Sequence, residues 1–189
     1  CNLIGCQDEL VFDGRSMVFD AAGSPVLQGR PFREDLVVFD IEPGDKGLAI
    51  RPVLVSTMKL PSDPVAEVYE ALILGIRDYV HKNGFQKVLI GMSGGIDSAL
   101  TAALAVDALG PRNVVTLTMP TRYNSPDTIN DAKLTAQNLG IDIHTVPIGD
   151  MLSNFSRSLH QVPGWDEKGL SYENLQARIR GTILMTLSN

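Results

Sequence analysis

Residues 88–106 hold the groups of this chain best suited to chemistry. An apolar run, Val88-Leu-Ile, has the composition of a buried parallel strand. Ser93-Gly-Gly follows, and from Ile96 the apolar positions Leu100, Ala103 and Leu104 recur on one helical face. Strand, glycine loop and helix turn backbone N–H groups and a helix N-terminus toward one point, which suits an anion. Gly94 and Gly95 let the main chain approach a phosphate with no Cβ in the way. The hydroxyls of Ser93 and Ser98 add donors, and Asp97 in the first helical turn can hold a metal that neutralises phosphate charge.

The loop is not of the Walker type, which needs a lysine where none occurs between Gly91 and Val106. Nor does the dinucleotide pattern G-x-G-x-x-G fit Gly91-Met-Ser-Gly-Gly-Ile96. Ser93-Gly-Gly-Ile-Asp-Ser98 does resemble the pyrophosphate loop of the ATP pyrophosphatase families. Those enzymes split ATP into AMP and pyrophosphate to activate a carboxyl or carbonyl oxygen. The plainer alternative is a tight βα turn of small residues, and both serines and the aspartate in register argue against it.

The elements that must position this loop read as α/β. Asp63-Pro64 is an N-cap followed by proline at the first helical position. Val65, Val68, Tyr69, Leu72, Ile76, Tyr79 and Val80 recur at helical spacing before Asn83-Gly84 ends the helix. After the loop helix, residues 113–119 predict a second strand, Ser125-Pro126 a helix ending at Gly140, and residues 141–146 a third strand. This alternation predicts a parallel sheet, with ligands beyond the strand C-termini, where Ser93, Met119-Pro120 and Ile148 fall. Asp150 is expected to cap a further helix and Ser171 a last one, with Leu175, Ile179, Ile183 and Leu187 as the buried stripe of the latter. Asn174 and Arg178 stack four apart on another face of that helix, as ligand contacts or as a solvated pair.

Residues 1–42 predict short strands, at residues 1–6, 10–12, 16–19, 26–27 and 35–41, too small a set to form a core alone. Residues 43–62 carry three prolines and little periodicity and are expected to be a linker.

Of 189 residues, 44% are hydrophobic and 20% charged, an ordinary globular profile. A net charge of −6 argues against nucleic acid and against an anionic membrane surface as partners. No apolar stretch is long enough for a transmembrane helix. Cys1 and Cys6 suit reduced thiols of a cytoplasmic protein rather than a zinc site or a disulfide framework. His81, His144 and His160 share no metal-ligand spacing, and Trp165 reads as a loop anchor. With no initiator methionine and termini inside apparent elements, the chain is expected to be a piece of a longer protein.

Asp63-Pro-Val-Ala-Glu-Val-Tyr-Glu-Ala-Leu-Ile-Leu-Gly-Ile-Arg-Asp-Tyr-Val80, the loop segment Ile90-Gly-Met-Ser-Gly-Gly-Ile-Asp-Ser-Ala-Leu100, Met119-Pro-Thr-Arg-Tyr-Asn-Ser125 and Glu173-Asn-Leu-Gln-Ala-Arg-Ile-Arg-Gly181 resemble, in this order, the glutamine-dependent NAD⁺ synthetase family. The opening Asn2-Leu-Ile-Gly-Cys-Gln-Asp-Glu-Leu-Val-Phe-Asp-Gly14 resembles the late part of that family's nitrilase-like glutaminase domain. The resemblance implies a parallel-sheet ATP pyrophosphatase domain, of the adenine nucleotide alpha hydrolase-like type, over residues 63–189. A β-rich remnant of a nitrilase-like αββα domain over residues 1–42 would precede it.

It also implies amidation of deamido-NAD⁺ with ATP and Mg²⁺, using ammonia released from glutamine, in a cytoplasmic homo-oligomer. Gly91, Met92, Ser93, Gly94, Gly95, Ile96, Asp97 and Ser98 would wrap the ATP phosphates, with Asp97 the metal ligand. Met119 and Arg122 would meet the adenosine, and Asn174 and Arg178 the deamido-NAD⁺. The family's glutaminase Glu, Lys and Cys lie upstream of this chain, so no catalytic residue of that site is expected here. Its T-G-N-K-S-E stretch lies downstream, so the 189-residue piece alone is not expected to turn over. Two rivals share the loop: another ligase of the same loop class (GMP synthetase-, asparagine synthetase- or tRNA-adenylase-like), and a non-catalytic nucleotide-binding module.

Overall fold

The computed structural model describes residues 1–44, 47–52, 63–167 and 169–188. The chain falls into two units, Cys1–Gly84 and Phe85–Asn189. Among the described residues no helix is long and apolar enough to cross a membrane.

The first unit is three antiparallel hairpins and a helix: β1 (Ile4–Gln7) with β2 (Leu10–Asp13), β3 (Met17–Phe19) with β4 (Pro25–Gln28), β5 (Phe39–Gly44) with β6 (Gly47–Pro52), and α1 (Pro64–Lys82). The strand expected over residues 35–41 begins only at Phe39. Asp35 accepts hydrogen bonds from the N–H groups of Arg30 and Leu36 and closes a loop there instead. Residues 43–52 were expected to be linker, yet β5 runs to Gly44, and Gly44 pairs opposite Gly47 at the start of β6. The rest of that expected linker, residues 53–62, lies outside the described residues.

Asp63 caps α1 as expected, accepting from the Val65 N–H at 2.9 Å, with Pro64 in the first turn. The helix buries Leu74 and Val80, while Val65, Val68, Leu72 and Tyr79 of the expected stripe are exposed. It packs on β1 and β2. Apolar residues occur all around this helix, so periodicity alone did not select the covered face.

The second unit is a three-stranded parallel sheet in the order β7 (Val88–Gly91), β8 (Val114–Thr118), β9 (Asp142–Thr145). Successive strand residues point to opposite faces, and two cores result. Met92 and Val114 pack with Ala102 and Ala105 of α2 (Ile96–Leu109) and Ala132 and Ala136 of α3 (Pro126–Leu139). Leu117 and Met119 pack with Ile148, with Leu152 of α4 (Gly149–Leu159), and with Tyr172 and Ile179 of α5 (Leu170–Ser188). This is an α/β fold with a parallel sheet covered on both faces.

Three local expectations are corrected. α2 buries Ala102, Leu104, Ala105 and Ala108 and leaves Ile96 and Leu100 exposed, because its small face lets it lie close to the sheet. α4 starts at Gly149 behind the fully buried Ile148, and α5 starts at Leu170, so Asp150 and Ser171 lie inside first turns and do not cap them. Leu187 of the expected α5 stripe is exposed, whereas Ile179 is buried. α3 follows the expectation: Ser125 accepts from the Thr128 N–H, and Gly140, left-handed at φ 67°, ends the helix.

Candidate functional site

The loop begins where β7 ends. The Met92 N–H donates to the Leu117 carbonyl at 2.7 Å, and the Met92 side chain is buried. At Gly94 (φ +87°) the main chain lies so close to α3 that a Cβ would stand 2.1 Å from the Thr128 carbonyl oxygen. That space is filled by α3, so Gly94 serves loop packing. Gly95 is different: a Cβ there would meet only Ser93 Oγ, at 3.4 Å. Of the pair, Gly95 is the glycine whose bare side is free for a ligand.

Gly95 is also the N-cap residue of α2, and no side chain caps this end. The N–H groups of Ile96, Asp97 and Ser98 therefore have no intrahelical acceptor, and the helix dipole adds positive potential there. The two serines knit the loop together. Ser98 Oγ accepts from the Ser93 N–H at 3.2 Å and donates to the Gly95 carbonyl at 2.9 Å. Ser93 Oγ accepts from the Gly95 N–H and lies 3.1 Å from Ser98 Oγ. The hydroxyls expected to face a phosphate thus also hold the loop in shape, leaving main-chain donors as the free ones.

Asp97 is exposed, and its carboxylate makes no hydrogen bond or ion pair among the described residues. The described residues contain no cluster of three or more His, Cys, Asp or Glu that could cage a metal. Mg²⁺ bound through one carboxylate, phosphate oxygens and waters needs no cage, so a lone free carboxylate at an anion-binding helix end fits that ion.

A cleft of about 490 Å³ opens beyond the C-terminal ends of β7 and β8. Gly91, Met92 and Ser93 line one side and Met119, Pro120 and Asn124 another; α5 supplies Ala177, Arg180, Gly181 and Leu184. A Cβ on Gly181 would meet nothing within 4 Å, so the helix leaves open space there. Asn124 Oδ1 accepts from the Thr121 N–H and Oγ1 at 2.8 and 3.1 Å and clamps the turn that follows Met119.

The predicted residues fall into three groups. Gly91, Met92, Ser93 and Met119 line the cleft, and residues 94–98 form the loop and helix start that continue from it. Arg122 does not line it. Its guanidinium donates to Tyr123 Oη at 2.6 Å, lies 4.9 Å from that ring's centroid, and borders another pocket with Arg157, His160 and Glu167. The Arg122 hydrogen bond lowers the Tyr123 phenol pKa, whereas burial raises that of Tyr172 beside it. Asn174 and Arg178 are exposed on α5, adjacent to Ala177 but outside the cleft lining.

Arg180 and Asn124 were not singled out from sequence. A signal for Arg180 existed: Ala177, Arg180, Gly181 and Leu184 stand at i, i+3, i+4 and i+7, one face of a helix. An arginine within a stripe of small and apolar residues marks a face covered by something polar.

The NAD synthase family model matches residues 68–189. The chain is 41% identical to the glutamine-dependent NAD(+) synthetase of Thermotoga maritima over 216 aligned positions, which cover all of this chain and 38% of that protein. It is 40% identical to the Synechocystis enzyme of the same name over 195 positions, all of this chain and 33% of the relative. Among solved structures, the glutamine-dependent NAD+ synthetase from Acinetobacter baumannii in complex with adenosine diphosphate superimposes with a TM-score of 0.89 at 40% identity. That match covers 98% of this chain and 34% of the other. The chain thus spans well under half the length of these relatives. By family match, by identity along its whole length and by fold, the chain belongs to the NAD synthase family.

Proposed function

We propose that this chain carries the ATP-activating part of a glutamine-dependent NAD⁺ synthetase. Residues 63–189 are the first part of the synthetase domain. Residues 1–42 are the end of a nitrilase-like glutaminase domain, and residues 43–62, hairpin strand included, connect the two. The observation that supports this reading best is the uncapped N-terminus of α2, behind a bare Gly95, beside a cleft at the C-terminal edge of a parallel sheet. The A. baumannii relative was solved with ADP, a ligand of the class that such a loop suits.

In this reading the ATP phosphates lie along residues 91–98, and the adenosine meets Met119 in the cleft and Arg122 outside its lining. The N–H groups of Ile96, Asp97 and Ser98 meet phosphate oxygens on which negative charge grows during adenylation. Magnesium bound with ATP offsets phosphate charge, and Asp97 is the residue that would hold it. Asn174 and Arg178 contact deamido-NAD⁺. A carboxylate oxygen of deamido-NAD⁺ attacks the α-phosphorus, the α–β bridge breaks, and pyrophosphate leaves. Ammonia, released from glutamine, adds to the acyl carbon, loses a proton and expels AMP, giving NAD⁺. The complete protein works as a cytoplasmic homo-oligomer.

The test uses the complete gene product with Mg²⁺-ATP, ammonia as nitrogen donor, and deamido-NAD⁺ present or absent. Pyrophosphate release that requires deamido-NAD⁺ and yields NAD⁺ is the expected result. ATP binding without that dependence overturns the acceptor assignment, and no ATP binding overturns the loop assignment.

A further inference from the structure

Among the described residues Arg180 is the one cationic side chain lining the cleft. Its Nε donates to the Met119 carbonyl at 3.2 Å, which anchors the guanidinium at the end of β8. The side chain is half-buried, and no carboxylate among the described residues pairs with it. Burial holds its pKa below the ordinary arginine value, and no neighbouring charge opposes that effect. A guanidinium has five N–H donors in a fixed fork, of which the Met119 contact uses one. A partly desolvated cation with open donors is costly unless something anionic completes it.

Among the described residues the cleft lining holds no Asp or Glu, so an oxyanion for this guanidinium is one that a ligand would bring. Planar guanidinium forks suit carboxylate and phosphate oxygens above other partners. Arg180 lines the same cleft as Ser93, where the glycine loop begins. Arg122 and Arg178, the arginines singled out from sequence, lie outside the lining.

We propose that Arg180 binds an oxyanion of substrate in this cleft, while its Nε fixes the Met119 carbonyl. The oxyanion comes either from the nucleotide phosphates or from the acceptor carboxylate or pyrophosphate. This rests on the reading that the cleft takes ATP and deamido-NAD⁺.

The test titrates Mg²⁺-ATP, deamido-NAD⁺ and uncharged adenosine calorimetrically into the complete gene product, as wild type, Arg180→Met and Arg180→Lys. Losing a charge-assisted hydrogen bond weakens binding by about tenfold or more. The expected result is a loss of that size in Arg180→Met for Mg²⁺-ATP or for deamido-NAD⁺, whichever supplies the oxyanion. Adenosine affinity should stay within about twofold, and Arg180→Lys should retain part of the lost affinity. Adenosine binding that falls in step with the charged ligands would reduce Arg180 to a support for Met119 and overturn the proposal. Unchanged binding of both charged ligands would overturn it as well, with the ATP reading intact. Wild type that binds no Mg²⁺-ATP would instead overturn the functional reading, and this proposal with it.

Discussion

Gly94 and Thr128 are in contact by default of a side chain: a Cβ on residue 94 would stand 2.1 Å from the Thr128 carbonyl oxygen and 2.9 Å from its carbonyl carbon. Both are backbone atoms of α3, which cannot rotate away, and φ at Gly94 is +87°. The loop and the first turn of α3 are therefore held in one arrangement by the absence of one carbon.

Gly94→Ala should accordingly cost about 3 kcal/mol of stability, from overpacking added to an unfavourable backbone conformation, and should abolish ATP binding. Gly95→Ala faces only Ser93 Oγ at 3.4 Å and has an ordinary φ of −87°. It should change stability by under about 1 kcal/mol while still weakening ATP binding. Thermal melting beside ATP titration separates the two. Equal melting losses for both variants would contradict the different tasks given to the two glycines.

Asp97 offers a cleaner separation of binding from folding. It is exposed, and nothing among the described residues pairs with its carboxylate. Asp97→Asn should leave stability within about 0.5 kcal/mol of the original. The dependence of ATP affinity on magnesium concentration should flatten, since the variant keeps the size of the side chain and loses the charge that a hard cation needs. A variant that melts early but keeps its magnesium dependence would assign Asp97 to structure.

The residues that were legible in the sequence are those governed by local rules. Asp63, Ser125 and Gly140 stand at helix ends where cap chemistry puts them, and the strand–loop–helix of residues 88–106 follows from its own composition. What escaped depends on contacts distant in sequence. Pro43, Gly44 and Gly47 read as breakers, yet they close a hairpin whose stability comes from cross-strand pairing. The covered faces of α1 and α2 were misjudged because each helix carries apolar residues on more than one side. The reading of Gly94 as room for a phosphate did not include its contact with Thr128, 34 residues later. Arg180 was passed over beside Arg178 because only the packing of α5 against β7 decides which of two arginines turns to the cleft.

In the first unit, Asp78 on α1 holds the main chain of β1. Its Oδ2 accepts from the Cys6 N–H at 2.8 Å and pairs with Lys82 Nζ at 2.9 Å, while Lys82 Nζ donates to the Cys6 carbonyl at 2.6 Å. Two helix side chains thus bond the main chain of Cys6 in addition to its pairing with Val11 of β2. Burial alone would raise the Asp78 carboxyl, but the hydrogen bonds from Lys82 and from the Cys6 N–H outweigh it and hold the pKa below its ordinary 3.8. A group with a depressed folded pKa contributes stability that is present above its unfolded value and is lost as pH falls through the folded one. The contribution of Asp78 is therefore whole at neutral pH, begins to fall near pH 3.8 and is gone only below the lower pKa of the folded state. Asp78→Asn should cost about 1 kcal/mol at pH 7, since the pair is partly exposed, and should show a shallower acid limb than the original. Urea denaturation of the complete protein at pH 7 and at pH 3, followed through amide exchange at Cys6, gives the comparison. If the two proteins lose stability in parallel between those pH values, the carboxylate of Asp78 does not hold β1 through its charge.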